Sequence, residues 1–284
     1  MVIFVIFAFL FGACLGSFLN VVILRLPKDE SLWRRGSHCF SCEQPIPWYH
    51  NIPILSYFIL RGRCSKCGAR FSVQYVIVEF VTAVVLALLA LYRFHGALPL
   101  LPYEPVDWFA LRPEIFLFLR DTLLFLALFS ITVIDARHYI IPLEITLTTL
   151  LLGLLLVFLQ PALLNCQDRF ELVIELLLSA LAGGVLFWIV RIVGGFVFKR
   201  EALGLGDVHL MFMLIPFLNW QQLLLVIFLA SIIGCVGGVA MKIFQRREIW
   251  RFEVPFGPYL ALAALTAYFF GANIINFYKS LIFR

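Results

Sequence analysis

Residues 2–24 read VIFVIFAFLFGACLGSFLNVVIL, a stretch without a charge in which Ser17 and Asn20 are the hydrogen-bonding side chains. A helix rises about 1.5 Å per residue, so about 20 apolar residues cross roughly 30 Å of hydrocarbon, and this run is long enough to do so. No basic residue precedes it, no small-residue cleavage site follows it, and it is longer than a signal-peptide core, so a retained first crossing is expected. The rest of the 284-residue chain has the same character: 63% hydrophobic, 14% charged, mean hydropathy +0.99. Soluble domains are roughly 45–50% apolar and about 25% charged, so a water-soluble globule, a disordered chain and a repeat array all fit poorly.

Further apolar runs occupy residues 73–92, 115–134, 143–159, 172–198, 208–218, 223–243 and 257–277. The expected fold is an all-α polytopic membrane protein with about eight transmembrane helices. The run 208–218 is short, and Asn219, Trp220, Gln221 and Gln222 separate it from the next as the turn of a hairpin. Three regions follow: a first transmembrane helix (1–24), a polar insert (25–72) and a membrane-embedded core (73–284). Gly12 with Gly16, and Gly234 with Gly238, are small-residue pairs expected to serve helix packing and no chemistry.

The net charge of +5 comes from 22 Lys and Arg against 17 Asp and Glu. In a bacterial membrane their placement reports orientation, because cations collect in cytoplasmic loops. With the N-terminus outside, the inner loops hold Arg25, Lys28, Arg34, Arg35, Arg61, Arg63, Lys66, Arg70, Arg137, Lys199, Arg200, Lys242, Arg246, Arg247 and Arg251. Only Arg93, Arg112, Arg120, Arg169, Lys279 and Arg284 fall outside, and Arg191 lies within a span. The insert is therefore expected in the cytoplasm of a multi-pass bacterial inner-membrane protein whose surroundings are lipid, with no nucleic-acid partner.

Four of the seven cysteines form two pairs, Cys39-x2-Cys42 and Cys64-x2-Cys67, with Gly68 following the second. Two short chelating turns joined by a loop are what a tetrahedral zinc held by four thiolates requires. Two disulfides are the alternative, but a cytoplasmic insert sits in a reducing compartment where they seldom persist. Four sulfurs leave no coordination position for water, so the expected Zn2+ is structural. His38 and His50 are possible substitute ligands, whereas Cys14, Cys166 and Cys235 read as small hydrophobes without catalytic roles.

Carboxylates near apolar spans are costly and usually have a task. Asp135 ends the run 115–134, ahead of Ala136-Arg137-His138-Tyr139-Ile140-Ile141-Pro142, and Asp207 opens the run 208–218 after Gly204-Leu205-Gly206. Two crossings lie between them, which returns both to the cytoplasmic edge. Neighbouring carboxylates share one proton, so one can act as base towards water and the other as acid towards a carbonyl, giving peptide hydrolysis without a covalent intermediate. Gly204 and Gly206 remove bulk ahead of Asp207 and let a substrate backbone approach. The alternative is that Asp207 caps a helix and Asp135 pairs with Arg137.

In their order along the chain these motifs resemble the bacterial type IV prepilin leader peptidase and N-methyltransferase family, membrane-embedded aspartic peptidases of the GxGD kind. The resemblance is carried by Gly16-Ser17-Phe18-Leu19-Asn20-Val21-Val22 with Arg25-Leu26-Pro27, and by the tetra-Cys insert enclosing Ile46-Pro47-Trp48-Tyr49-His50-Asn51-Ile52-Pro53. It continues through Asp135 with Ile141-Pro142, Gly204-Leu205-Gly206-Asp207 and Pro255-Phe256-Gly257-Pro258. It implies that Asp135 and Asp207 are a catalytic pair that cuts a basic leader from prepilins of type IV pili or pseudopilins of type II secretion. The cut falls after Gly and before a hydrophobic residue. It also implies methylation of the new N-terminus from S-adenosylmethionine. Leu143 and His209 stand where the family commonly has an acidic residue and a Lys, and Glu144 comes one position late.

No Gly-rich nucleotide-binding turn accompanies the methyl-transfer expectation. The insert offers a sulfonium only Glu43, Trp48 and Tyr49, diffusely placed, and no cofactor-binding residue is assigned. Two rival functions stand beside the dual enzyme. One is a proton-coupled transporter using Asp135 and Asp207 as carriers with a zinc-bound regulatory domain; the other is a peptidase that cleaves without methylating. Both acids at one face favour hydrolysis at the interface over relay across the bilayer.

Overall fold

A computed structural model describes residues 1–32, 36–96, 108–199, 203–245 and 255–282. Arg34, Arg35, Arg200, Arg246, Arg247, Arg251 and Arg284, used above to argue orientation, lie outside the described residues. Regular structure among the described residues is helical, apart from two isolated antiparallel bridges, His38 with Pro45 and Arg63 with Arg70. Among the described residues six helices are long and apolar enough to cross a membrane, which makes this a multi-pass membrane protein. The chain divides into two compact units, Met1–Thr122 and Leu123–Arg284.

The first unit holds α1 (Val2–Arg25), the insert with its short α2 (Leu55–Ile59), α3 (Gln74–Phe94) and the first part of α4 (Trp108–His138). The small residues of α1 set its contact with α3: a Cβ on Gly12 would lie 2.9 Å from the Ala83 Cα, and one on Gly16 would lie 2.7 Å from the Glu79 Cα. Backbones this close gain dispersion contacts where the hydrophobic effect gives nothing, as the sequence led one to expect of Gly12 and Gly16. At the far end of α3, Arg93 grips Asp121 with two hydrogen bonds of 2.7 and 3.1 Å, so a buried carboxylate is matched by a cation.

The second unit holds the remainder of α4, then α5 (Leu143–Leu159), α6 (Arg169–Ser179), α7 (Leu186–Phe198), α8 (Leu205–Met213), α9 (Trp220–Gln245) and α10 (Gly257–Ile282). A π-helical segment, Ala180–Val185, joins α6 to α7 inside one long span. The Phe212 ring of α8 sits against Gly184 of that segment, where a Cβ would come within 2.4 Å of it. The widened turn thus seats two neighbours, with Gly184 facing Phe212 of α8 and Gly183 facing Leu223 of α9.

Only part of the expected set of about eight crossings appears as full-length spans. α5 is a shorter apolar helix of 17 residues, and α8, with nine, covers only about 13 Å and is too short to cross alone. Buried Leu214–Leu218 then turn into α9, and Asn219 caps it: the Gln222 N–H donates to Asn219 Oδ1 at 2.9 Å while Gln222 Oε1 accepts from the Asn219 N–H at 3.1 Å. Residues 220–222, expected as a turn, therefore belong to the helix. The expected Gly234 and Gly238 pairing also shifts. Tyr259 of α10 packs against Gly237, one residue earlier, and Gly238 faces open space.

Candidate active site

Two sites are built from opposite kinds of local structure. In the insert, each C-x2-C forms a tight turn closed by the same hydrogen bonds. The Cys39 N–H donates to Gln44 O and the Glu43 N–H to Cys39 O, at 3.0 and 2.8 Å; Cys64 with Ala69 and Gly68 repeats this at 2.8 and 3.0 Å. The fifth position of each turn has a positive φ, 56° at Glu43 and 72° at Gly68. The two turns face one another and bring the sulfurs of Cys39, Cys42, Cys64 and Cys67 within 4.8 Å of one another. Tetrahedral coordination at about 2.3 Å requires sulfur separations a little under 4 Å, and Cys39 and Cys67 are already at 3.8 Å. These residues fit a metal ion.

Local donors also prepare the thiolates. The N–H groups of Cys67 and Lys66 hold the Cys64 thiol down at about 6, and those of Cys42 and Ser41 lower Cys39. The Ala69 N–H favours the thiolate of Cys67, yet desolvation and the crowding of Cys42, Cys39 and Cys64 push it up to about 11. The cluster therefore calls for a cation to hold four sulfurs deprotonated. His38 and His50 are not part of it: their Nδ1 atoms meet Gly36 O and Ser65 Oγ, at 3.0 and 3.2 Å.

The carboxylates are positioned by helix ends. Asp135 lies in the last turn of α4, which stops at Tyr139 in a left-handed conformation, φ 57°. Its Oδ2 accepts a 2.8 Å hydrogen bond from the Gly257 N–H, at the first turn of α10. Asp207 lies in the first turn of α8, and its Oδ2 accepts from the Gly204 N–H at 3.2 Å. Both side chains are buried, with Asp135 5% and Asp207 8% exposed. The segments that carry them meet where Gly206 packs on Ile141. Each carboxylate thus keeps one oxygen tied to a helix N-terminus and the other without a hydrogen-bond partner among the described residues.

The flanking motifs set the clearances. Gly206 packs on Ile141, where a Cβ would come within 2.8 Å of the Ile141 Cβ, so Ile141-Pro142 and Gly206 are one contact. Gly204 has an ordinary extended backbone, φ −65° and ψ 148°, so its value is space and the N–H it gives to Asp207 rather than an unusual conformation. Gly257 matters most for fit: a Cβ there would stand 2.7 Å from Asp135 Oδ2.

Two family models match the chain. "Bacterial Peptidase A24 N-terminal domain" covers residues 10–94 and "Type IV leader peptidase family" covers residues 122–239. A Pseudomonas aeruginosa protein named prepilin leader peptidase/N-methyltransferase is 31% identical over 97% of this chain and 93% of its own. The chain belongs to the type IV leader peptidase family. An Aeromonas hydrophila member of the same name is 31% identical over 95% of this chain and 92% of its own. A Myxococcus xanthus one is 39% identical over 86% of this chain, which spans 65% of that relative's length. No solved structure matches the chain.

Sequence reasoning left two residues without a role. Gly257 stands in the quoted Pro255-Phe256-Gly257-Pro258, but nothing in a linear sequence says that an N–H 122 positions away meets Asp135. Glu79 sits inside the apolar run 73–92 and is buried, so the argument from costly carboxylates applies to it as much as to Asp135. Its Oε2 accepts the Ile54 N–H at 2.7 Å, which ties α3 to the insert.

Proposed function

We propose that the protein removes the basic leader from prepilins or pseudopilins with Asp135 and Asp207 as the catalytic pair, and then methylates the new N-terminus. The observation that carries the cleavage reading is the pairing itself: two buried carboxylates from α4 and α8, each anchored through Oδ2 and each with its other oxygen available. One carboxylate takes a proton from water as it adds to the scissile carbonyl carbon. The other, protonated, donates to the carbonyl oxygen. Collapse of the resulting diol breaks the C–N bond and delivers a proton to the leaving amine. The Gly257 and Gly204 N–H groups hold the two oxygens that do not react and fix the orientation of each carboxyl.

A cytoplasmic insert and a pair at the inner face of the bacterial inner membrane suit a substrate whose leader stays in the cytoplasm and whose apolar helix enters the lipid. In the insert Zn2+ is the metal that best matches four thiolates, where it would hold the two turns together. The relatives are named N-methyltransferases, and S-adenosylmethionine would supply the methyl group when bound.

The test is to incubate membranes containing the protein with a synthetic prepilin and isotopically labelled S-adenosylmethionine, and to weigh the new N-terminus. Loss of the leader with a labelled methyl on the first residue is the expected product. A mature but unmethylated product would identify a cleavage-only peptidase, and an intact precursor would defeat the assignment.

A further inference from the structure

A cavity of the first unit is lined by none of the residues assigned to the hydrolysis described above. Its volume is about 140 Å³, room for roughly ten water-sized groups. Its floor is Ser17 and Asn20 of α1 with Glu79 of α3, and its roof comes from the insert, including His38, Asn51 and Ser56. Two of its lining residues carry a buried polar atom without a partner among the described residues: Asn20 Oδ1, on a residue 2% exposed, and Ser56 Oγ. Such atoms cost about 1–3 kcal/mol each unless something meets them, and a native fold rarely leaves several together at one place.

The wall carries the carboxylates of Glu79 and Glu30 and the unpaired carbonyl oxygen of Asn20 against one guanidinium, that of Arg25, which is already spent on the carbonyl oxygens of Ser31, Leu32 and Gly36; His38, His50 and the aromatic residues Tyr57, Tyr75 and Phe40 complete it. The Asn20 amide cannot turn to offer its nitrogen, because Nδ2 already donates to Tyr75 O at 3.0 Å. Acceptors plus aromatic faces select an organic cation.

We propose that this cavity binds the cationic group of the methyl-transfer step, either the sulfonium of the methyl donor or the freed N-terminal ammonium that receives the methyl, with Glu79 and Asn20 as its acceptors. The inference rests on the methyl-transfer reading given above. In that step the amine nitrogen attacks the methyl carbon, the C–S bond breaks with its electron pair going to sulfur, and the amine sheds a proton. A carboxylate at Glu79 stabilises the cation before transfer and lies where that proton can be taken.

The full-length protein in detergent, as wild type, Glu79→Gln and Asn20→Ala, decides the matter through three readouts on each preparation. These are binding of S-adenosylmethionine, methylation of a synthetic leaderless peptide, and leader cleavage. Both variants are expected to methylate at least tenfold more slowly while cleaving within twofold of wild type. A tenfold weaker donor Kd in Glu79→Gln assigns the site to the sulfonium; an unchanged donor Kd with a tenfold higher peptide KM assigns it to the amine. Methylation by both variants within twofold of wild type overturns the proposal. If Glu79→Gln also loses cleavage, Asn20→Ala, which disturbs no contact to Ile54, decides alone by the same two limits. A wild-type protein that cleaves but neither binds the donor nor methylates overturns the methyl-transfer reading itself, an outcome distinct from variants that behave like wild type.

Discussion

The four sulfurs and the two carboxylates are both convergent sites, and they converge by different means. Each cysteine pair is formed within a six-residue turn by its own backbone hydrogen bonds, so only the meeting of two turns depends on tertiary structure. The aspartates stand 72 positions apart, and the orientation of Asp135 depends on a third element, α10, whose first N–H reaches it. A site made of local turns tolerates change elsewhere in the chain; a site made of helix ends inherits every shift of those helices. The contrast is open to direct challenge.

The largest effect should come from the carboxylates. Asp135→Asn or Asp207→Asn keeps the shape and one acceptor oxygen but removes the acid–base group of the proposed mechanism, and acid–base catalysis of this kind is worth about 10²–10⁴-fold. Leader removal by either variant is expected to fall by at least that range, with metal content and membrane insertion unchanged. Substantial cleavage by either purified variant would refute the pairing. Next comes Gly257→Ala, which touches neither carboxylate covalently. Its methyl group would stand 2.7 Å from Asp135 Oδ2, so the side chain or the start of α10 must move. Displacements near 1 Å commonly cost about 10²-fold in rate, and kcat is expected to fall by roughly 10–100-fold with little change in KM. If Gly257→Ala cleaves at the wild-type rate, α10 has no part in holding Asp135.

The difference between the sites also explains what could be read in advance. Both C-x2-C pairs were visible because coordination chemistry fixes a spacing of residues, and spacing is a property of the sequence. Asp135 and Asp207 were visible as charges beside apolar runs, and their order with Gly204 and Gly206 resembled a known family. Hidden were the partners those residues take: Gly257 on Asp135, Ile141 on Gly206, and Phe212 on Gly184, each a contact between distant segments. The number of crossings was overstated for a related reason. Hydropathy measures the length of an apolar run, but the helix containing Asp207 starts at Leu205 and ends at Met213, and the apolar residues beyond it form a buried turn instead of continuing the helix. Glu79 was legible and went unread.

Replacing one sulfur should damage the insert without the carboxylate pair. Cys64→Ser removes the thiol that two N–H groups hold nearest to its thiolate form, and a hydroxyl is a poor ligand where a soft donor is needed. Metal analysis of the freshly reduced wild type is expected to give about one zinc per chain, falling to near zero in the variant. Cleavage should fall less than in Asp135→Asn, because both aspartates belong to the other unit. Absence of metal from the reduced wild type would break the comparison at its first term.

The smallest effect separates the two turns of the insert from each other. Gly68 and Glu43 occupy the same place in their turns, and both have positive φ, 72° and 56°. Glycine adopts this region freely, whereas an L side chain there pays roughly 1 kcal/mol in contact between Cβ and the backbone. The first turn therefore carries a strain that the second does not. Glu43→Gly should relieve it, offset in part by the greater freedom of glycine in the unfolded chain. Metal retention against a competing chelator is expected to improve by about twofold or more, while Gly68→Ala, the reverse change in the partner turn, should weaken it. Equal retention in wild type and both variants would mean that the metal, rather than the turns, sets the geometry of the cluster.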